Sequence, residues 1–514
     1  MEPEMTKLKS SHLVLLVCSL INLFSVRAQA NNHDSESLVI RAVTLVNADA
    51  TLSKKPQNVL IRHGKIQAIG TREFTADKVI DGHGQYLIPG LIDSHVHLRG
   101  VPGVPDGELA HSDFYQEALA QIPKSYLYAG FTTLLDLVNT KAFIDSWNQQ
   151  PLAPRAHYCA PVPIPKGYPI AVIPEEALQK VDVARYFLHD RHAHPSTELA
   201  DPAAHTPAHL IEAMQKDGAR CAKIFYEKGF GKVRNLPVPS EAIVRELVAE
   251  AHKKQLPVFL HGNSLESYEF ALATGVDMLV HGLWNAQPAT TPGELQRIAQ
   301  RLIDAKIAVQ PSVQVIYGEQ ELLNPAFFHQ PSLRHYMPGK LIDWYQTPAG
   351  QWMKNEIGSY LGETASLTDE QKYQQIKTVY QPLLTRVQQV SQPLNQHALL
   401  IFGSDTPSGP IYTQFPGLNG RMEMDRWQAM GIPLVDLFKA LTIGNAKRLG
   451  LEREIGSIAT HKQADLLLLG KNPLQDITAY DAINWVILRG EPISRESLSA
   501  QNLKFIKVHT TPES

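Results

Sequence analysis

The sequence predicts a mixed α/β fold in which a (β/α)₈ TIM barrel is joined to a small β-sandwich built from both termini. Between about residues 86 and 449, short apolar runs alternate with helical stretches, a pattern typical of parallel strands joined by crossover helices. Eight apolar runs occur there, the number of strands that closes such a barrel. Short β-rich pieces flank this region on both sides and predict the second unit.

The predicted barrel strands are short and rich in apolar residues. They are YLIPGLIDSHVH, FTTLLDLV, AHYCAPVPI, CAKIFY, PVFLHG, MLVHG, IAVQPSV and ALLIFGSD. The stretches between them carry apolar residues at helical spacing. One of them, SEAIVRELVAEAHKKQ, begins with Ser240, a residue type that caps helix N-termini.

The flanking pieces predict strands from both ends of the chain. SLVIRAVTLVNA, QNVLIRHGKIQAIG and DKVIDG are separated by polar and glycine-containing turns and predict antiparallel strands. Similar pieces, ADLLLLGKNPL and INWVILRGEPI, return only near the other end. We expect residues 31–86 and 450–514 to complete one sandwich around a barrel spanning residues 87–449.

The charge balance indicates what kind of partner to expect. The chain has 514 residues with 48 basic and 51 acidic side chains, a formal net charge of -3. This balance gives no electrostatic footprint for nucleic acid or an anionic membrane. We therefore expect a small-molecule substrate, and the sequence leaves homo-oligomerisation open.

The N-terminus carries the pattern of a secretory signal peptide over residues 1–30. Lys7 and Lys9 precede an apolar run over residues 13–26, which is followed by Ala28-Gln29-Ala30. We expect cleavage to give a soluble secreted or periplasmic protein that starts near Asn31 and no longer contacts the membrane. An uncleaved anchor is the alternative.

Two features of the expected mature chain stand apart from the barrel pattern. Only Cys159 and Cys221 remain after cleavage, too few for a disulfide framework, although a single bridge stays open. A histidine-rich stretch at 189–209 and a long Gln-, Tyr- and Leu-rich insertion at 313–396 both fall where βα loops emerge. We expect these two segments to cover the barrel mouth.

His95 and His97 lie one residue apart at the end of the first predicted barrel strand. Side chains at positions i and i+2 of a strand point the same way, so the two rings lie about 6 to 7 Å apart along the chain on one side of the sheet. That spacing suits a shared metal ion. The alternative is one histidine packed in the core and the other solvated.

Further potential ligands lie at or near the ends of other predicted strands. Lys223, His261, His281 and Asp405 occupy the fourth, fifth, sixth and eighth runs. Barrel active sites are assembled at the C-terminal ends of the strands. Each of these residues has a structural explanation when taken alone, but six of them at one edge of one barrel predict an active site.

This pattern of H-x-H, Lys, His, His and Asp on successive strands resembles the amidohydrolase superfamily. The segments IPGLIDSHVHL, AGFTTLLDL, LHG, VHG, FGSD and LFKALTIGNAKRLGLEREIGSIATHKQADLLLL resemble its exported branch of Xaa-Pro dipeptidase-like and imidazolonepropionase-like enzymes. The resemblance extends from Leu38 to Ile493 and implies the barrel, the sandwich and a divalent metal site. One departure is ATHKQADL, where members usually have Pro-Gly-Lys before the Ala-Asp.

The resemblance also implies a ligand set for two divalent metal ions, most simply Zn²⁺, which accepts imidazole and carboxylate ligands. Lys223 becomes a ligand in this family by reacting with carbon dioxide to form a carbamate that bridges the metals. One metal is then held by His95, His97, Lys223 and Asp405, and the other by Lys223, His261 and His281. The shared hydroxide attacks the scissile carbonyl, while Asp405 acts catalytically by taking up the proton and delivering it to the leaving nitrogen.

The predicted function is therefore that of an exported binuclear metal-dependent hydrolase of carbon–nitrogen bonds, an amidohydrolase of peptidase-like type. One alternative keeps the site but opens a lactone or a cyclic amide. Another keeps the fold and the metals but serves as a non-catalytic binding protein. Lys223 argues against deamination, since deaminase branches typically lack the lysine bridge.

The loop after the fourth strand suggests the charge of the substrate. IFYEKGFGKVR places Tyr226, Lys228, Lys232 and Arg234 directly after the predicted bridging lysine. A phenol and nearby cations can hold a carboxylate through charge-assisted hydrogen bonds. These residues predict binding of a small carboxylate-bearing amide, either a dipeptide or an N-acyl amino acid. The alternative is that the cations are simply solvated.

Overall fold

A computed structural model describes residues 37–105, 107–172, 185–193, 201–230, 233–285, 290–359, 361–362 and 366–502. The predicted signal peptide lies outside these residues, as does Lys232. The strands of the described residues form two sheets, one from both ends of the chain and one from its middle.

The strands are short, as the sequence pieces predict. They are β1 Leu38–Leu45, β2 Gln57–Arg62, β3 Lys65–Gly70, β4 Lys78–Asp81, β5 Tyr86–Pro89, β6 Leu91–Val96, β7 Phe131–Asp136, β8 Arg155–Val162, β9 Cys221–Phe225, β10 Val258–His261, β11 Met278–Val280, β12 Ala308–Gln310, β13 Leu466–Leu469, β14 Ile483–Leu488 and β15 Glu491–Ser494.

The α-helices follow the barrel strands and fill the long insertion. They are α1 Asp113–Tyr128, α2 Lys141–Asn148, α3 Pro207–Asp217, α4 Glu241–Lys253, α5 Leu265–Thr274, α6 Pro292–Ala305, α7 Gln314–Leu322, α8 Leu333–Tyr336, α9 Gly339–Tyr345, α10 Trp352–Ser359, α11 Asp369–Gln396, α12 Leu418–Ala429, α13 Leu434–Lys439 and α14 Asn445–Arg448. Ser240 caps α4, since its side chain accepts a hydrogen bond from the backbone N–H of Ile243.

Strands from both termini assemble together in the order β15-β14-β13-β5-β1-β2-β3, with β4 paired to β1. The expectation that the N-terminal strands are antiparallel is wrong for β4, which runs parallel to β1. Strand β5, which was expected in the barrel, also pairs with β1 in parallel. The chain crosses over after β3 and returns alongside β1 in the same direction. Apolar residues from both ends, including Val43, Leu87 and Leu466, share one core cluster.

The middle of the chain forms a parallel sheet of seven strands in the order β6 to β12. The first predicted barrel strand divides at Gly90, so that β5 joins the terminal assembly and β6 begins the barrel sheet. At the division, the Gly90 N–H donates to the backbone carbonyl of Asp465. The next six predicted strands correspond to β7 to β12.

The eighth predicted run forms isolated bridges instead of a regular strand. Leu400 bridges in parallel to Val309 beside one edge of the sheet, and Thr406 bridges in parallel to Val96 at the other edge. At Gly403 the segment lies too close to its neighbours for a larger residue. A Cβ added at Gly403 would lie 2.0 Å from Gln310 Nε2 and 2.8 Å from the Cβ of His95.

The insertion at 313–396 is largely helical and contributes α7 to α11. Its longest helix, α11, has 28 residues and a capping box at Thr368. None of the helices in the described part of the chain is both long and apolar enough to cross a membrane.

Candidate metal centre

The six predicted ligands lie at one end of the parallel sheet. His95 lies on β6 and His97 directly follows it, Lys223 lies on β9, and His261 ends β10. His281 follows β11. Asp405 lies in the segment that bridges to β12 at one edge of the sheet and to β6 at the other. All six line one cavity of about 900 Å³.

Asp405 lies close to two histidines of the first strand of the parallel sheet, β6, and the residue after it. Its Oδ1 lies 3.0 Å from the Nε2 of His95 and 3.0 Å from the Nε2 of His97. Burial alone would raise the pKa of Asp405, but the surrounding histidines, His95 foremost, hold that pKa well below its ordinary value. The carboxylate is therefore ionised at neutral pH and is suited to bind a cation.

His261 and His281 lie close to each other, and His281 also lies near Asp405. His281 Nε2 lies 2.9 Å from His261 Nδ1, and His281 Nδ1 lies 3.6 Å from Asp405 Oδ2. Burial lowers the pKa of His95 to about 3 and lowers the pKa of His281 well below its usual range. Both imidazoles are thus neutral at pH 7, which is the form that binds metals.

These residues fit a divalent metal ion. Ligand atoms of His95, His281 and Asp405 all lie within 4.8 Å of one another, and all three residues are buried. The Nδ1 atoms of His95 and His281 are buried and have no hydrogen-bond partner in the described part of the chain. Buried polar atoms are normally satisfied, so two unpartnered nitrogens within one imidazole and carboxylate cluster fit the role of metal ligands.

The backbone at two of these positions is strained. His281 has a φ of 99° and Asp405 a φ of 55°, both in the region that favours glycine. Such conformations cost on the order of 1 to 3 kcal/mol each and cluster at functional sites. The two strained residues carry side chains that approach each other in the cluster, with His281 Nδ1 3.6 Å from Asp405 Oδ2.

Lys223 lies in the same cavity with a buried side chain that is 2% exposed. No hydrogen bond or salt bridge joins its amine to another residue among those the structure describes. Burial lowers the pKa of Lys223 to about 7, although the Asp405 carboxylate acts in the opposite direction. A neutral amine is therefore accessible near neutral pH.

Glu227 also lines the cavity, although it was not among the residues predicted for the site. Its Oε2 accepts from the Asn263 side-chain amide at 3.2 Å and lies 3.4 Å from His261 Nε2, while its Oε1 accepts from the Gly229 N–H at 2.8 Å. The residue is 5% exposed. Glu227 thus contacts the ring nitrogen of His261 that faces away from His281. A signal for it existed, because it is the only acidic residue in the IFYEKGFGKVR loop.

The predicted substrate-binding residues separate in the structure. Arg234 is exposed and lines the cavity of the metal centre. The structure does not bring Tyr226 and Lys228 there. Tyr226 packs against Phe270 with ring centroids 4.7 Å apart and lines a different hollow, and Lys228 pairs with Glu266 at 2.5 Å. The physical reason is the alternation of side chains along the extended segment after Lys223, which sends Glu227 inward and its two neighbours outward.

Aromatic side chains complete the cavity and were also missed. The Tyr168 ring lies 4.7 Å from the His261 ring, and the Trp284 ring lies 5.0 Å from the His281 ring. Their positions follow from loops whose paths cannot be derived from spacing.

The insertion at 313–396 reaches the cavity, as expected for a segment near the barrel mouth. None of the described residues of the 189–209 stretch lines the cavity, and Arg191 and His192 contact Glu246 of α4 instead.

Comparison with known proteins assigns the chain to a family. Residues 86–305 and 387–493 match the Amidohydrolase family. The chain belongs to this family. The assignment confirms the resemblance inferred from the sequence and supports the predicted class of metal-dependent hydrolase acting on carbon–nitrogen bonds.

Individual proteins match this chain either over a short stretch or at low sequence identity. The chain is 36% identical over 112 residues to a dihydroorotase of Halalkalibacterium halodurans, a match that covers 22% of this chain and 23% of the relative. The chain thus spans about a quarter of the length of the curated relatives it matches. A structure of a Xaa-Pro dipeptidase with bound methionine has a TM-score of 0.55 at 17% identity and covers 89% of this chain and 100% of its own. A structure of molinate hydrolase has a TM-score of 0.59 at 19% identity and covers 93% of this chain and 99% of its own. These structural likenesses show the fold.

Proposed function

We propose that this protein is an exported binuclear metal-dependent amidohydrolase that cleaves an amide bond of a small carboxylate-bearing substrate, either a dipeptide or an N-acyl amino acid. The observation that carries the proposal is the convergence of four histidines, Lys223 and Asp405 on one cavity. In the same proposal the segment Leu400–Thr406 occupies the eighth position of a closed barrel, and the terminal strands form its sandwich.

Two sets of residues would hold the metals, with Zn²⁺ the expected ion. Asp405, His95 and His97 would hold one, and His261 and His281 the other, with Lys223 shared between them. A bound divalent metal supplies Lewis acidity, which polarises a carbonyl and lowers the pKa of water. Asp405 is ionised and accessible from the cavity, so its carboxylate can accept the proton of the attacking water and return it to the leaving nitrogen.

Lys223 would take part as a carbamate. A buried ammonium that forms no direct ion pair is costly, and a carbamate replaces it with an anion beside the proposed cations. The neutral amine forms a bond to the carbon of carbon dioxide as one C=O bond becomes a C–O single bond, and the nitrogen releases one proton to solvent. The side chain then carries a single negative charge shared by two oxygens. The burial of Lys223 within the ligand cluster supports this assignment.

Arg234 is the candidate partner for the substrate carboxylate. It lines the cavity, and a guanidinium can donate two parallel hydrogen bonds to a carboxylate. Tyr226 and Lys228 face elsewhere and are left out of this proposal.

The test is turnover by the metal-loaded protein. A library of dipeptides and N-acyl amino acids should contain substrates, and panels of lactones and cyclic amides test the ring-opening alternative. Asp405→Asn should abolish turnover while leaving the fold intact by circular dichroism. Full activity of that variant would contradict the proposal. So would the absence of stoichiometric divalent metal in the purified protein after supplementation with zinc or manganese. Turnover lost on His95→Ala would eliminate the non-catalytic alternative.

Export is part of the proposal and rests on two observations. The first is the signal-peptide pattern in residues 1–30. The second is a disulfide between Cys159 and Cys221, a bond typical of oxidising compartments. N-terminal sequencing of protein from an exporting host should begin near Asn31. A membrane-bound product that retains residues 1–30 would contradict export.

A further inference from the structure

The insertion forms one side of the metal-centre cavity with apolar side chains. Val315 and Ile316 of α7, Met353 and Ile357 of α10, and Leu383 of α11 all line it. We call these five residues the insertion wall. The family match leaves out residues 306–386, which contain all five. The wall therefore lies in the part of the chain that the family match does not include.

The wall is fixed to the segments that carry the ligands. Arg386 of α11 donates to the backbone carbonyl of Trp284 at 2.9 Å, three residues after His281. Val387 packs against Gly282, where an added Cβ would lie 2.7 Å from the Val387 Cγ1 atom. A wall held this closely to the metal centre has a defined position relative to the reacting bond.

The other end of the wall is anchored as well. The Glu423 carboxylate accepts from the backbone N–H groups of Val313 and Gln314 at the start of α7, at 3.1 and 2.6 Å. Thr413, in the loop after Asp405, donates its hydroxyl to the carbonyl of Gly318 at 2.6 Å. Both contacts are made by buried side chains.

The chemistry of the wall restricts what can lie against it. Its side chains offer no hydrogen bonds to a substrate, so a polar group placed there would lose its hydration without replacement. Glu319 is the polar neighbour that also lines the cavity, and one of its oxygens already accepts from the Tyr380 hydroxyl at 2.8 Å. Aromatic side chains, among them Trp284 and Phe230, also line the cavity, together with polar side chains such as Asn263 and Ser408.

From these contacts we infer that the insertion wall is a specificity subsite for a large apolar group of the substrate, of the size of a benzyl group. This inference rests on the proposed function and names the substrate class of the same site. A cavity of about 900 Å³ has room for such a group beside the reacting amide and a carboxylate near Arg234.

The experiment uses two series of amides, and each series compares a methyl with a benzyl substituent. In one series the substituent is on the acyl side of the amide, and in the other it is on the amine side. The metal-loaded full chain should cleave the benzyl compound of one series with a kcat/KM about 10- to 200-fold higher. The preferred series tells which side of the amide faces the wall. Turnover of both compounds at equal rates in both series would overturn the subsite but not the amidohydrolase activity. No turnover of any compound would count against the proposed function itself.

Variants connect the preference to the wall. Met353→Asn and Leu383→Asn should reduce the ratio of benzyl to methyl kcat/KM toward one, because they put an amide where the apolar group lies. Val379→Asn is the matched control, since Val379 is on the same helix as Leu383 but is 51% exposed and lies outside the cavity lining. A ratio unchanged in both wall variants, with melting temperatures like that of the parent protein, would also overturn the subsite.

Discussion

His261 illustrates how one side chain depends on its neighbours. Its Nδ1 faces His281 Nε2 at 2.9 Å, and its Nε2 faces the Glu227 carboxylate at 3.4 Å. A carboxylate accepts hydrogen bonds but does not donate them when ionised, so it favours the tautomer with the proton on Nε2. Nδ1 is then left as a lone pair directed toward the ligand cluster. Histidine ligands commonly donate their second N–H to a carboxylate in this way.

Replacing Glu227 by Gln should weaken metal binding at the His261 position. The amide is a poorer acceptor and can present its NH₂ to the ring, so the tautomer with a free Nδ1 loses its preference. We expect affinity for the more weakly bound metal to fall about 10- to 100-fold, measured by competition with a chromophoric chelator. Glu269→Gln is the control, because Glu269 pairs with Arg301 at 2.6 Å on the surface. Unchanged affinity with reduced kcat would instead indicate direct contact between Glu227 and the substrate.

Lys223→Ala should remove the shared ligand and abolish activity. The expected metal content falls from two ions to one or none by elemental analysis. A short carboxylic acid supplied in the buffer should restore part of the activity, because it can occupy the space of the carbamate. Retention of two tightly bound metals in this variant without the added acid would show that Lys223 is not the bridge.

At the scale of elements, the disulfide joins two neighbouring barrel strands. Cys159 of β8 and Cys221 of β9 are direct partners in the strand register, and both are buried. The bond closes a sequence separation of 62 residues. In the chain-entropy account, a loop of this length contributes about 4 kcal/mol to the free energy of unfolding.

Replacing both cysteines by Ser should therefore lower the free energy of unfolding by about that amount, with part of the change arising from the two buried hydroxyls. Chemical denaturation of the oxidised parent and of the double variant measures the difference. The double Cys→Ala variant separates the hydroxyl effect from the loss of the bond. Two free thiols found in the unreduced, denatured parent protein would contradict the bond itself.

The elements also show which features a sequence pattern can predict. Strands β7 to β12 follow from apolar runs between amphipathic helices, because a buried parallel strand needs little beyond an apolar run. The pattern did not predict the division at Gly90, since apolar residues continue on both sides of that glycine and the separation depends on which sheet each piece contacts. The parallel pairing of β4 with β1 likewise depends on a crossover that local sequence does not encode.

At the scale of the whole molecule, the six predicted ligands come together because parallel strands end at one edge. Their positions in the sequence were enough to predict this, since each lies at or near a strand end. Residues that reach the cavity from loops and from the insertion, such as Glu227, Trp284 and Met353, depend on loop paths, and a strand pattern contains no information about those paths. The same limit explains why Tyr226, next to Glu227, was selected in its place.

Removal of bound metal should destabilise the whole molecule. The cluster places His95, His97, His261 and His281 around Asp405 in a buried site, and two of its ring nitrogens have no partner within the described residues. Metal that binds only the folded chain stabilises it by about 2.7 kcal/mol per site at a concentration 100 times Kd. Treatment with a chelator should therefore lower the melting temperature, and added zinc should restore it. His95→Ala should lose much of this response, whereas Val379→Asn should keep all of it. Equal melting temperatures for the loaded and stripped protein, with metal loss verified by elemental analysis, would show that the cluster is stable without a cation.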